Sequence, residues 1–147
     1  MRATTVPILL VSLTGCAEAS PTADGENELV GIVTPAQVGA NIHDWDGQIV
    51  TVEGWLGRCE ELNCMLYSDP ADRRILEQGG EWSTAQEHAL RRTLSVGADD
   101  TFDASALPLQ NSRVRIRGRV NDMCWPANCS DRAPDIEPLS IQPAETN

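Results

Sequence analysis

Two segments of this chain share one pattern, and each ends in a pair of cysteines. Residues 48–64 read QIVTVEGWLGRCEELNC, and residues 113–129 read RVRIRGRVNDMCWPANC. In both, apolar residues alternate with outward residues, a glycine interrupts the run, and a C-x4-C spacing follows. Alternation with a period of two predicts a strand with one buried face, and a glycine inside it indicates a bulge or bend. The chain is therefore predicted to contain two long strands, each running into a tight hairpin.

Shorter elements are predicted around these two strands. Helices are expected after Thr34, Asp69 and Ser83, because Thr34 and Ser83 begin capping boxes and Asp69 precedes a proline. The remaining strands are expected at residues 65–67, 94–97 and 135–142, with Pro138 at an edge position, and residues 98–111 are expected to be a long connection.

Five short strands, one bent at Gly54, resemble an OB-fold, a small five-stranded Greek-key barrel. Residues 46–56, DGQIVTVEGWL, are similar to the first barrel strand of bacterial OB-like envelope and anticodon-binding-type domains. The resemblance covers about residues 31–143 and implies a mainly β fold, a barrel with short helices. The helices between the second and fourth strands are longer than a minimal OB-fold needs. A fold of this kind does not define a function.

The cysteine pairs predict a covalent framework. An asparagine precedes the second cysteine of each pair, and asparagine tolerates the left-handed backbone that ends many hairpin loops of four residues. The two cysteines would then face each other at the hairpin neck, at a separation that suits a disulfide. Two disulfides are therefore predicted: Cys59–Cys64 and Cys124–Cys129.

Two alternatives remain for these cysteines. C-x4-C lies at the edge of the spacing that zinc ligands use, and both hairpins would lie on one rim of an OB-fold. A four-cysteine zinc site is thus the main alternative, built from Cys59, Cys64, Cys124 and Cys129. Pairing across the two loops is the other. A catalytic redox pair is not expected, because C-x-x-C is absent.

The N-terminus has the pattern of an export signal, with a basic start and an apolar segment too short to span a bilayer. It ends in Leu13-Thr14-Gly15-Cys16, which resembles the lipobox of bacterial lipoproteins. In that family the cysteine thiol receives a diacylglyceryl group, the signal is cut before it, and the new amino terminus is acylated. The resemblance implies that Cys16 is lipidated, which accounts for the odd fifth cysteine. An ordinary secretory signal with a chance cysteine is the alternative.

This resemblance also implies a domain order and a location. Residues 1–15 would be the signal peptide, 16–30 the lipidated cysteine and a flexible acidic tether, 31–143 the barrel, and 144–147 a tail. Ala17 follows the cysteine, and by similarity to enterobacterial sorting it permits the outer membrane. We expect a membrane-anchored protein that faces the periplasm, in the outer rather than the inner membrane.

Charge and motifs limit the function. The chain has 22 acidic and 11 basic residues, a net charge of -11. Nucleic acid is not expected as a partner, because binding to phosphates requires positive charge. P-loop, dinucleotide-binding and nucleophile-elbow patterns are absent from the sequence, so we expect no cofactor and no enzymatic activity.

The candidate binding rim consists of Trp125, Arg58 and Tyr67. Trp125 is the best contact residue, because it sits at the tip of a cysteine-closed loop and aromatic side chains on rigid loops are good anchors. Packing of Trp125 back onto the barrel is an equal alternative. His43 and His88 fit no metal or triad pattern and are interpreted as surface or structural residues.

A row of arginines lies on the outer face of the second long strand: Arg113, Arg115, Arg117 and Arg119. The row could hold an anion. A solvated strand face that offsets acidic neighbours such as Glu53 is the favoured interpretation.

We therefore expect a non-enzymatic, lipid-anchored envelope protein that presents its two cysteine hairpins to a protein or a glycan. A zinc-binding envelope lipoprotein that uses the four cysteines is the alternative. A small hydrolase is a third class, which no motif supports.

Replacing Cys16 tests the anchor. Cys16→Ser should abolish acylation and release the protein from the membrane fraction, because the thiol is the atom that accepts the lipid. Fractionation and intact mass measure this. A variant that stays in the membrane fraction with its acyl mass would show that the lipobox interpretation is wrong.

Overall fold

A computed structural model of the chain describes residues 28–60, 63–97, 99–125 and 131–145. Within these residues there are four α-helices: α1 (Pro35–Ala40), α2 (Pro70–Leu76), α3 (Thr84–Leu90) and α4 (Asp100–Ala106). Two short 3-10 helices cover Ile42–Trp45 and Leu107–Leu109. The same residues form eight strands: β1 (Glu28–Val33), β2 (Ile49–Glu60), β3 (Asn63–Tyr67), β4 (Thr93–Gly97), β5 (Arg113–Val120), β6 (Cys124–Trp125), β7 (Asp131–Arg132) and β8 (Ile136–Pro143).

Five of the strands form a closed ring in the order β2-β3-β4-β8-β5, and β5 pairs again with β2. Neighbours in the ring are antiparallel except β4 and β8, which run parallel and pair at Val96 and Ile136. This order, with one parallel contact, is that of an OB-fold. The predicted mainly β barrel with short helices is confirmed.

The strand β2 is the member of the ring with three described partner strands, β1, β3 and β5. One edge runs antiparallel to β5, from Ile49 opposite Arg119 to Trp55 opposite Arg113. The other edge pairs first with β1, in parallel, and from Trp55 onward with β3. β3 leaves one edge of the first half of β2 unpaired, and β1 occupies it. β1 therefore starts at Glu28, inside the predicted tether of residues 16–30.

The change of neighbour along β2 falls at Gly54. A Cβ atom there would lie 2.7 Å from the carbonyl oxygen of Tyr67 and 3.0 Å from the Pro35 ring. Gly54 thus permits a close approach of β3 and α1 to β2. The pairing irregularity predicted at this glycine lies further on, between Leu56 and Cys59.

Alternating residues of the ring strands fill the barrel. β5 shows the period most clearly, since its apolar residues are buried while its arginines lie outside. The ring residues at most 1% exposed that belong to the core cluster are Val50, Val52, Leu56, Cys64, Leu66, Leu94, Val96, Val114, Ile116, Val120 and Ile136. Pro138 lies two residues after Ile136, the residue of β8 that pairs with β4. At Pro138, β5 is the one described strand with which β8 pairs. This agrees with its predicted edge position.

The helix α4 replaces the long connection that was predicted for residues 98–111. The Asp99 carboxylate caps it by accepting a 2.7 Å hydrogen bond from the Phe102 backbone N–H. Phe102 and Ala106, one turn apart, are buried in the barrel core. A capping aspartate followed by apolar residues four apart was the signal for this helix.

The capping boxes predicted at Thr34 and Ser83 are present at the starts of α1 and α3. No helix in the described ranges is long and apolar enough to cross a bilayer.

Two glycine substitutions test the close approach at Gly54. Gly54→Ala should lower the free energy of unfolding by about 1–3 kcal/mol, because the new methyl group meets backbone that must shift. Gly31→Ala is the matched control, since a Cβ at Gly31 meets no atom within 4 Å. Urea denaturation measures both. Equal stability of the two variants would contradict the assigned role of Gly54.

Candidate functional site

The first hairpin carries a disulfide. Cys59 of β2 lies directly opposite Cys64 of β3, with a Cα–Cα distance of 4.0 Å, and the two sulfurs are bonded. The predicted Cys59–Cys64 bridge is confirmed. Cys64 is fully buried and Cys59 packs against the same core, so the bridge joins the hairpin neck to the barrel interior. The strands pair one step further, at Glu60 and Asn63, so the loop is shorter than the four residues predicted.

The second hairpin is formed by β6 and β7. Its register places Arg132 opposite Cys124 and Asp131 opposite Trp125. The predicted four-residue loop, with the second cysteine directly opposite Cys124, is therefore wrong for this hairpin. Cys129 and the side chains of Cys124 and Trp125 lie outside the described part of the structure. The Cys124–Cys129 disulfide, the four-cysteine zinc site and the contact role of Trp125 therefore stay predictions.

Of the other predicted rim residues, the structure places Arg58 at the surface and Tyr67 in the core. Arg58 is exposed on β2, next to Cys59. Tyr67 is 7% exposed and lies at the far end of β3 from the hairpin tip. Its ring fills the space where a side chain at Gly57 would lie, with Cε2 2.5 Å from that Cβ position. Tyr67 packs against the barrel and does not belong to an exposed rim.

A cleft of about 440 Å³ lies at the ends of β4 and β5 and the start of β8. Gly97 in its wall pairs with Asn63 of the first hairpin, whereas Asn121 and Pro134 flank the second. Its lining residues are Gly97, Asp99, Asn121, Pro134, Glu137, Pro138 and Leu139. We call this feature the rim cleft. The sequence analysis assigned the site to the cysteine hairpins themselves, and its rim residues Arg58 and Tyr67 are not among this lining. It missed the walls, which come from β4, β8 and the start of α4.

The segment that leads into β8 is held firmly beside the rim cleft. The Asp135 carboxylate accepts hydrogen bonds from the Ser95 backbone N–H and hydroxyl, at 2.8 and 2.9 Å. Gly97 permits close contact with Pro134, whose Cγ would lie 3.3 Å from an added Cβ. These contacts fix one wall of the cleft before any ligand binds.

The cleft combines acidic and apolar groups. Glu137 is exposed, and Leu139 beside it is 52% exposed. Asp99 adds a second carboxylate to the lining, and its Oδ1 caps α4. An open cleft with carboxylates around an exposed leucine suits a partner that presents basic and apolar groups.

Two arginines of the row, Arg113 and Arg115, form ion pairs with the same carboxylate. The Glu53 carboxylate accepts 2.7 Å contacts from both Arg113 and Arg115, and Glu53 is only 14% exposed. Arg119 donates a 2.9 Å hydrogen bond to the Gly47 carbonyl oxygen. These contacts agree with the interpretation that the row offsets Glu53 across the sheet.

The two histidines lie apart from the rim cleft lining. The His43 side chain is 82% exposed, and its Nδ1 contacts the Asp122 carboxylate. His88 is exposed in the last turn of α3. Both positions agree with their interpretation as surface residues.

Comparison with known proteins adds little to this description. No family model matches the sequence, and no curated protein matches it significantly. Among solved structures, the chain is similar to the hypothetical protein ygiW from E. coli, with 14% identity and a TM-score of 0.48 over 82% of this chain and 98% of that one. It is also similar to a putative aspartyl-tRNA synthetase from Leishmania major Friedlin, with 8% identity and a TM-score of 0.40 over 85% of this chain and 22% of that one.

Removal of the first disulfide tests its role as a local staple. Cys59→Ala/Cys64→Ala should cost about 2 kcal/mol of unfolding free energy and leave the barrel folded, because the bridge closes only a short loop. Urea denaturation of the oxidised parent, the reduced parent and the variant measures this. The reduced parent is the control, and its free energy of unfolding should be close to that of the variant. A variant as stable as the oxidised parent, or one that is unfolded, would contradict this account.

Proposed function

We propose that this protein is a lipid-anchored, non-enzymatic envelope protein that binds a partner in the rim cleft. The anchor rests on the lipobox pattern that ends at Cys16, and the proposed location is the periplasmic side of the outer membrane. The observation that carries the binding role is the rim cleft itself. It is open, it has a fixed wall, and it lies beside a hairpin that a disulfide closes.

The walls explain why this cleft suits binding. The clamp between Ser95 and Asp135 holds the β8 side in place, and the paired strands β3 and β4 hold the other side. A wall that is ordered before binding loses little conformational entropy when a ligand binds. The exposed Leu139 supplies apolar contact area, which a buried interface can use.

Charge favours a basic protein as the partner. The chain carries a net charge of -11, and Asp99 and Glu137 flank the cleft. Carboxylates attract basic groups during approach and disfavour anionic competitors. A neutral glycan is the second class of partner, and it would use the same polar groups through hydrogen bonds.

A metal-binding function is the second candidate. The sulfurs of Cys59 and Cys64 and a carboxylate oxygen of Asp103 all lie within 4.8 Å of one another. The four-cysteine set would include Cys124 and Cys129 as well.

A photo-crosslinking experiment tests the rim cleft. A photoreactive residue at Leu139, in the native envelope, should give a discrete adduct with a basic protein. Glu137→Lys should reduce its yield, since the charge that attracts the partner is reversed. Trp82 is the matched position outside the lining, because it is also exposed, at 62%.

Two results would contradict the proposal. The first is the absence of any adduct at Leu139 in cells that contain the protein at its normal level. The second is the same set of products from Leu139 and Trp82, which would indicate unspecific contact. A glycan adduct specific to Leu139 would keep the binding role and assign the partner to the second class.

A further inference from the structure

The carboxylate of Asp103 has an unusual position. Its Oδ1 atom is buried and has no hydrogen-bond partner among the described residues. Asp103 belongs to α4, whose Phe102 and Ala106 pack into the core. A carboxylate oxygen of Asp103 lies within 4.8 Å of the sulfurs of both Cys59 and Cys64.

An unpartnered buried oxygen of this kind is costly and calls for a physical explanation. A buried acceptor without a donor loses its hydration and gains no hydrogen bond in exchange, which destabilises the fold. Such groups in native proteins generally have a bound water or ion, or a chemical role. The neighbouring disulfide cannot compensate, because its sulfurs carry no hydrogen and donate no bond.

We propose that Cys59, Cys64 and Asp103 form a zinc-class metal site that is closed while the disulfide is intact and opens when the disulfide is reduced. A dithiol reductant supplies two electrons and two protons, the S–S bond breaks to give two thiols, and the reductant becomes a disulfide. Metal binding then releases the two thiol protons and leaves two thiolates and one carboxylate as ligands.

The chemistry of this ligand set suits zinc. Zinc binds thiolate sulfur at about 2.3 Å and carboxylate oxygen at about 2.0–2.2 Å in a tetrahedral arrangement. Ligand atoms around such an ion lie roughly 3.5 Å apart. The three candidate atoms are already within 4.8 Å of one another, so the main change needed is separation of the bonded sulfurs. A fourth position would be left for water or a partner's group.

The elements that carry these ligands do not depend on the disulfide alone. The hairpin neck is also held by backbone pairing of Glu60 with Asn63. Asp103 is held by α4, where its N–H donates a 2.8 Å hydrogen bond to the Asp99 carbonyl oxygen. Reduction should therefore leave the three side chains near one another. The site is independent of the second cysteine pair and goes beyond the proposed binding role of the rim cleft.

Metal titration of the full mature chain tests the proposal, in a background where Cys124→Ser and Cys129→Ser remove the other thiols. The reduced chain should bind one zinc or cobalt ion, and cobalt should show thiolate-to-metal charge-transfer absorption. The oxidised chain should bind none. Asp103→Asn should weaken binding to the reduced chain by roughly tenfold or more.

Two further variants make the result decisive. Asp100→Asn is the matched control, because Asp100 is an exposed carboxylate of the same helix, and it should bind metal like the parent. Cys59→Ser keeps Asp103 and should lose most of the affinity, which tests the site even if Asp103→Asn does not fold. Circular dichroism checks the fold of each variant.

Three outcomes would overturn the proposal. The first is a reduced parent that binds no metal. The second is an Asp103→Asn variant that folds and binds as tightly as the parent, since Asp103 would then not be a ligand. The third is an oxidised chain and a Cys59→Ser variant that bind as well as the reduced parent, which would show adventitious binding to surface carboxylates.

Discussion

The structure depends on one strand, β2, that pairs with three others, whereas each other strand of the ring pairs with two described strands. β2 is 12 residues long, and every backbone N–H and C=O group in a buried strand requires a partner. β5 supplies partners on one edge, and β1 and then β3 supply them on the other. The sheet closes into a ring that includes β2, because β3 continues it from one edge of β2 and β5 from the other. The residues that alternate inward form the core.

This closure also explains where the two hairpins lie. We follow the pairing around the ring from Cys59, moving at each strand to the residue directly opposite. The successive partners are Cys64, Val96, Ile136 and Val120, and the path returns to β2 at Gln48 instead of Cys59. This shift along β2 is the register stagger that tilted strands in a closed barrel require. The path leads from the first hairpin through β4 and β8 to the end of β5. The β6–β7 hairpin, which follows β5, therefore starts beside the rim cleft.

Local patterns predicted much of the fold. The alternation around Val50 and Val114 predicted the two long strands, the capping boxes predicted the starts of α1 and α3, and the spacing of Cys59 and Cys64 predicted their disulfide. α4 was missed, although Asp99 and the spacing of Phe102 and Ala106 carried its signal. β1 was missed because it pairs with the part of β2 that β3 leaves unpaired. Which part that is depends on tertiary structure and not on local sequence.

The candidate site was less predictable from the sequence, for a physical reason. The rim cleft exists because β4 and β8 meet in parallel at Val96 and Ile136, residues that are far apart in the chain. Local periodicity carries no information on such a contact. Tyr67 was assigned to the rim from its place near a hairpin, but packing against Gly57 buries it. The position of Asp103 beside the disulfide likewise depends on how α4 docks, which follows from the closed ring.

Amide hydrogen exchange on the mature chain tests most directly whether β2 joins the barrel into one unit. The backbone amides of β2 before and after Gly54, and those of β5 and β8, should exchange at one common free energy, that of global unfolding. That result would follow if opening any part of the ring required loss of the pairing along β2. Exchange of the Ile49–Glu60 amides at two distinct free energies, with a break at Gly54, would show two independent units and would contradict this account.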